Sequence, residues 1–249
     1  MKSLYFIFLL CLILGGGCNT QWPLMEKKKP LTAGQYPQTF QGTAKVEFKY
    51  LLFLPEGYGQ TPKRWPLIMF LHGLGESGDD LEQLKIHGLP KITQTQKDFP
   101  FIVVSPQCPK NKWWPEQTED LIAFLDDVIS RYDVDKDRVY LTGLSMGGFG
   151  TWSLAGTYPD RFAAIAPVCG GGVTFLACRL KDVPIWAFHG AKDPVVPVAE
   201  SVDMVKAVHD CGGNAKLTIY PEAEHDSWTQ TYSSKELYDW FLSYRKNPK

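Results

Sequence analysis

Residues 138–152 read RVYLTGLSMGGFGTW, a β-rich run that gives way at Gly143-Leu144-Ser145-Met146-Gly147 to small residues and then to a helical pattern. A serine framed by glycines in this way fits the G-x-S-x-G arrangement, in which the serine sits on a sharp, strained turn from strand to helix. A backbone bent that tightly leaves no room for side chains at the flanking positions, so both are glycine. A bare match arises by chance in roughly one chain in twelve of this length. The strand before it and the helix after it therefore carry the reading.

Working outward from that turn, short apolar runs alternate with helical patterns. Val46 to Leu54, Leu67 to Leu71, Phe101 to Val104, Val139 to Thr142, Phe162 to Val168, Ile185 to Phe188 and Leu217 to Tyr220 read as strands. Most are continuous apolar runs closed by Gly or Pro, which suits strands covered on both faces. Thr118 to Tyr132 reads as a helix: acidic Glu119 and Asp120 favour its N-terminal end, and Leu121, Phe124, Leu125, Val128 and Tyr132 share one face. Pro197 to His209 and Ser234 to Tyr244 repeat the pattern. The alternation predicts an α/β fold in a single domain, with a mostly parallel central sheet and helices on both faces. In such sheets ligands bind at the carboxyl ends of the strands.

The chain has 249 residues and a net charge of −1, which excludes the strongly basic class that binds nucleic acid through its phosphates. Met1 to Cys18, MKSLYFIFLLCLILGGGC, has an early lysine, an apolar run too short to span a bilayer, and small residues before a cysteine. That layout predicts a cleaved signal over residues 1–17 and resembles a bacterial lipoprotein signal, with Cys18 carrying the lipid. The only membrane contact expected is this N-terminal anchor; export to the periplasm, to the outer membrane or to the medium all fit. Residues 18–41, with Lys27, Lys28, Lys29 and Pro30, read as a tether, leaving residues 42–249 as the folded domain. Export puts Cys108, Cys169, Cys178 and Cys211 in an oxidising compartment, where three pairings are open; Cys169 with Cys178 is favoured because both flank one loop. Their spacing is not zinc-like, so no metal is expected.

A serine hydroxyl is a weak nucleophile and needs a base in reach, with a third group to hold that base. For a serine on this kind of turn the chain order is serine, acid, histidine. His189, His209 and His225 follow Ser145. His189 precedes any usable acid and reads as a turn anchor, and His209 falls within a helix. His225, in PEAEHDSW after the last strand, is left as the base. Asp193, in HGAKDPVVP after a strand end, is the acid that fits. The oxyanion needs two backbone donors, for which Met146 N–H and Leu74 N–H, the latter in the loop His72-Gly73-Leu74-Gly75, are the candidates.

Together LHGLGESGDD, GLSMGGFGTW, HGAKDPVVP and EAEHDSW resemble the α/β-hydrolase superfamily. Within it they are most similar to the lidless esterases of the phospholipase/carboxylesterase and carbohydrate esterase family one types, which are related to dienelactone hydrolase. The resemblance runs from about Ala44 to Tyr244. It implies carboxylic ester hydrolysis without a cofactor, through Ser145, Asp193, His225 and an oxyanion hole from Leu74 and Met146. No inter-strand segment is long enough for a large lid. Trp113, Trp114 and Trp228 are candidates for an aromatic wall facing sugar rings or feruloyl groups. The expected substrate is a small-molecule or polysaccharide ester. Two alternatives remain at this stage: a serine peptidase of the prolyl oligopeptidase type, and a catalytically silent binding module.

Overall fold

The structure, a computed structural model, describes residues 31–42 and 47–246. The expected signal, Cys18 and the first part of the expected tether lie outside the described residues. Eight strands form one sheet: β1 (Gly34–Gln41), β2 (Glu47–Leu54), β3 (Trp65–Leu71), β4 (Ile102–Pro106), β5 (Val134–Leu144), β6 (Ala164–Val168), β7 (Ile185–Gly190) and β8 (Ala215–Tyr220). Their order across the sheet is β1-β2-β4-β3-β5-β6-β7-β8. β1 and β2 run antiparallel to their neighbours and the remaining pairs are parallel. Among the described residues six α-helices accompany them: α1 (Gly88–Ile92), α2 (Thr118–Arg131), α3 (Met146–Thr157), α4 (Ala199–Asp210), α5 (Trp228–Ser233) and α6 (Lys235–Leu242).

The continuous apolar runs are explained by covering on both sides. Side chains alternate along a strand, so Leu67, Met69 and Leu71 of β3 enter one core with Phe124 and Val128 of α2 and Trp152 of α3. Ile68 and Phe70 of the same strand enter a second core with Leu89 of α1, Tyr232 of α5 and Phe241 of α6. Neither face of β3 meets water, and every residue of the strand is buried.

Two expectations are corrected here. Residues 34–41, assigned to the tether, form β1, so the folded unit begins before residue 42 and takes in Leu31 onward. The strand alternates: Phe40 is buried and Tyr36 and Gln38 are half-buried, whereas Pro37 and Thr39 are exposed. Phe40 packs edge-on against Phe124 at 5.5 Å. A single buried aromatic, an exposed proline that an edge strand tolerates, and the polar stretch before it hid this strand in the sequence.

The disulfide is the second correction. Cys178 bonds to Cys211, and Cys108 and Cys169 are free and buried. Cys169 follows the last residue of β6 and is buried. Cys178 lies in the 3₁₀ segment Thr174–Leu180, which packs along α4 and so meets Cys211 at that helix's C-terminus. The bond closes a separation of 33 residues. By loop-closure entropy it is worth about 3–4 kcal/mol. The double variant Cys178→Ala, Cys211→Ala is therefore expected to unfold in urea with a free energy lower by about 3 kcal/mol. Equal stability of variant and parent would show that the bond constrains little.

Candidate active site

The turn after β5 is built from the residue types read in the sequence. Ser145 has φ 53° and ψ −115°, a conformation that an L-residue holds only under constraint. The constraint is backbone against backbone. A Cβ on Gly143 would come within 2.6 Å of Leu71 O at the end of β3, and one on Gly147 would run into the same carbonyl. Glycine at both places lets the turn close onto β3. Ser145 N–H donates to Val168 O at 2.9 Å, tying the turn to the end of β6.

Ser145 Oγ lies 2.9 Å from His225 Nε2, and His225 Nδ1 lies 2.7 Å from Asp193 Oδ2. The carboxylate accepts from Nδ1–H, so Nε2 presents its lone pair and the serine hydroxyl donates to it. Asp193 Oδ1 accepts from Val195 N–H at 2.8 Å and Val196 N–H at 2.9 Å. Burial pushes the Asp193 carboxyl up, but the His225 hydrogen bond and these two backbone donors outweigh it and hold it below the usual range. An imidazole set between a hydroxyl and an ionised carboxylate can take the hydroxyl proton and carry the resulting charge.

Leu74 and Met146 are the first residues of helical turns, so neither N–H has an intrahelical acceptor. The loop holding Leu74 sits against the serine turn: a Cβ on Gly73 would lie 2.8 Å from Leu144 Cδ1. It is clamped from behind. Gln107 Nε2 donates to Glu76 O and Asp80 O, both at 2.8 Å. Cys108 N–H donates to His72 Nε2 at 2.8 Å, and His72 Nδ1–H donates to Gly73 O at 2.5 Å. These bonds require neutral His72, and burial pushes its pKa down to about 4. The buried Glu76 carboxylate lies 3.7 Å from His72 Nδ1 and 3.8 Å from His87 Nε2, and burial raises its pKa.

Of the three tryptophans, Trp228 is half-buried with its ring edge-on to His225 at 5.2 Å and to His87 at 5.5 Å. Trp113 is half-buried against Phe149 in the first turn of α3 at 5.5 Å. Trp114 is a correction: it is fully buried, its Nε1–H donates to His72 O at 3.0 Å, and it supports the loop from inside instead of lining a wall. A cleft of about 260 Å³ between α1 and α5 is lined by His87, Lys91, Thr95, Trp228 and Thr229, among others. A cleft of about 900 Å³ between Asp137, Arg179, Pro184 and Lys246 lies at the opposite end of the strands, away from Ser145.

Two groups beside the site were read in the sequence for other roles, Cys169 as a disulfide partner and His189 as a turn anchor. Cys169, with φ 40°, places its thiol within 4.8 Å of ligand atoms of Asp193 and His225. Burial pushes that thiol up to about 12, so it is protonated, and the Asp193 oxygens are already engaged by N–H donors. A metal ion would have to displace those bonds and that proton. His189 is fully buried behind Asp193. Its spacing of four residues before the acid is the only sequence signal it offered.

A family model described as Phospholipase/Carboxylesterase matches residues 99–236, more than half of the chain. The chain belongs to the phospholipase/carboxylesterase family. This places it in the lidless esterase branch of the α/β-hydrolase superfamily, as the motifs implied. Among relatives of this carboxylesterase-family chain, a bifunctional acetylxylan esterase/xylanase of Neocallimastix patriciarum is 29% identical over 185 residues, covering 70% of this chain and 26% of that protein. A protein named probable feruloyl esterase C, from Aspergillus terreus, is 27% identical over 180 residues, covering 69% of this chain and 64% of that one. The chain thus spans between a quarter and two thirds of the length of these relatives. A solved thermostable esterase superposes with a TM-score of 0.74 at 33% identity, over 85% of this chain and 63% of that one.

The depressed pKa of His72 has a measurable consequence. Between its ordinary value of 6.5 and about 4, the unfolded chain binds a proton that the folded chain excludes, so stability falls as pH drops through that window. The full effect is about 3 kcal/mol. Urea unfolding at pH 7 and at pH 4.5 is expected to show a larger loss for the parent than for His72→Asn. Parallel losses in the two proteins would contradict a neutral buried His72.

Proposed function

We propose that this protein is an exported serine carboxylic ester hydrolase that acts through an acyl-enzyme on small acyl or feruloyl esters of carbohydrates. The observation that carries the proposal is the unbroken chain of hydrogen bonds from Ser145 Oγ through His225 to Asp193. Ser145 attacks the ester carbonyl as His225 Nε2 takes its proton. Asp193 fixes the imidazole tautomer and steadies the imidazolium. Leu74 N–H and Met146 N–H receive the developing oxyanion, aided by the positive N-terminal end of α3. The alcohol leaves with the proton from His225. Water, activated by the same imidazole, then releases the acid and restores the serine.

The substrate assignment rests on the relatives named for acetylxylan and feruloyl esters and on the aromatic wall beside the base. Trp228 and His87 give an aromatic acyl group a face to stack on, and the cleft behind them has a volume, about 260 Å³, that suits one ring system and its substituents. A further cleft of about 640 Å³ shares Ile92, Thr95, Tyr232 and Ser233 with it and runs on beside Tyr238, leaving room for a sugar chain. Export is favoured by the signal-like pattern of residues 1–17, ending on Cys18 as the lipid-carrying residue, and by a disulfide that persists only in an oxidising compartment.

Hydrolysis of p-nitrophenyl acetate, p-nitrophenyl butyrate, methyl ferulate and acetylated xylan by the protein lacking residues 1–17 tests both levels. Ser145→Ala is expected to lose on the order of 10⁴- to 10⁶-fold in turnover on every ester cleaved. Trp228→Ala is expected to raise KM for methyl ferulate about tenfold or more while p-nitrophenyl acetate changes little, since a lost aromatic contact is worth roughly 1.4 kcal/mol. Undiminished turnover by Ser145→Ala would overturn the mechanism. Cleavage of p-nitrophenyl esters alone would overturn the substrate class and leave the mechanism standing.

A further inference from the structure

His189 ends β7 with both ring nitrogens engaged and none of its surface exposed. Nε2 lies 2.9 Å from Val196 O and 3.3 Å from Asp193 Oδ2. Val196 O can only accept, so Nε2 carries a hydrogen and donates it to that carbonyl, with Asp193 Oδ2 alongside. Nδ1 lies 2.7 Å from Ser201 Oγ on α4, whose single hydroxyl hydrogen is shared between Nδ1 and Gly170 O at 2.9 Å. Gly170 backs directly onto the first turn of α3: a Cβ there would lie 2.7 Å from Gly148 Cα. One imidazole thus joins the loop carrying the acid, the helix that follows it and the chain end packed on the helix that begins after Ser145.

We propose that His189 is a positioning residue for the acid of the triad: its Nε2–H holds the carbonyl of Val196, whose own N–H holds Asp193 Oδ1, and it stands beside Asp193 Oδ2. The proposal rests on the triad reading above. Oδ1 is fixed by two backbone donors and Oδ2 by His225. The Nε2 of His189 lies 3.3 Å from Oδ2 and donates to Val196 O, so it braces the segment whose N–H groups fix Oδ1.

Three substitutions separate positioning from packing. His189→Gln keeps an amide N–H within reach of the Nε2 position, His189→Asn keeps one only on the Ser201 side, and His189→Phe keeps ring volume with no donor. On p-nitrophenyl acetate, His189→Asn and His189→Phe are expected to lose on the order of 10- to 100-fold in kcat with KM within about twofold, the scale of a misplaced catalytic group. The downfield proton resonance of His225 Nδ1–H is expected to shift. His189→Gln is expected to restore kcat and the resonance toward the parent. The proposal is overturned if the resonance stays put in folded His189→Asn, or if His189→Gln is as impaired as His189→Phe. Asp193→Asn, measured alongside, separates the two readings: parental activity there defeats the triad itself. An inactive Asp193→Asn beside a fully active His189→Phe defeats only the role of His189.

Discussion

The close approach of the Ser145 turn to the end of β3 is the constraint on which the rest of the site depends. Leu71 O occupies the space that side chains at positions 143 and 147 would need, so the turn can seat only with glycine at both. The contact has two products. It forces Ser145 into its positive-φ conformation, with Oγ raised above the sheet. It also fixes the point where β3 becomes the loop bearing Leu74, so nucleophile and candidate oxyanion donors are placed by one backbone contact between adjacent strands. Strain held this way costs of order 1–3 kcal/mol at one residue and must be offset by the packing around it. The two cores flanking β3 and β5 supply that packing.

The remaining parts are held by backbone bonds that extend the sheet past its strand ends. Ser145 N–H reaches Val168 O, Cys169 N–H reaches Phe188 O at 2.8 Å, and Ala191 N–H reaches Tyr220 O at 2.9 Å. Lys192 N–H then reaches Ala223 O at 3.0 Å, two residues before His225. The loops of β5, β6, β7 and β8 are stitched in series, and the three side chains Ser145, Asp193 and His225 stand on successive parts of that seam. Parallel strands make this possible, because all four loops leave the sheet at the same end. A site carried on such a frame reorganises little when charge develops, which is where electrostatic stabilisation is most effective.

Much of this was legible in the sequence because the decisive residues are local. The strands after β1 announce themselves as apolar runs ended by glycine or proline, and each motif sits at a strand's carboxyl end, where topology gathers it. Ser145, Asp193 and His225 could be proposed from chain order together with their places at strand ends. What stayed hidden depends on contacts between segments distant in sequence. β1 was missed because an edge strand needs only one deeply buried residue, Phe40, and its partner strand is what orders it. The Cys178–Cys211 bond follows from the 3₁₀ segment lying along α4, which no spacing rule encodes. Trp113 and Trp114 are indistinguishable as a pair in the sequence, yet one flanks the site and the other is wholly internal, because the chain turns into a helical segment between them. His189 looked like a turn anchor, and its contact with Asp193 appears only once the acid loop folds back over the end of β7.

The central claim is that Ser145 is an activated nucleophile, and the most direct test is covalent. The protein is treated with a fluorophosphonate and the modified residue located by mass spectrometry, with His225→Ala treated in parallel. The account predicts stoichiometric labelling at Ser145 in the parent and labelling slowed by orders of magnitude in His225→Ala. An unlabelled Ser145, or equal labelling of both proteins, would contradict it.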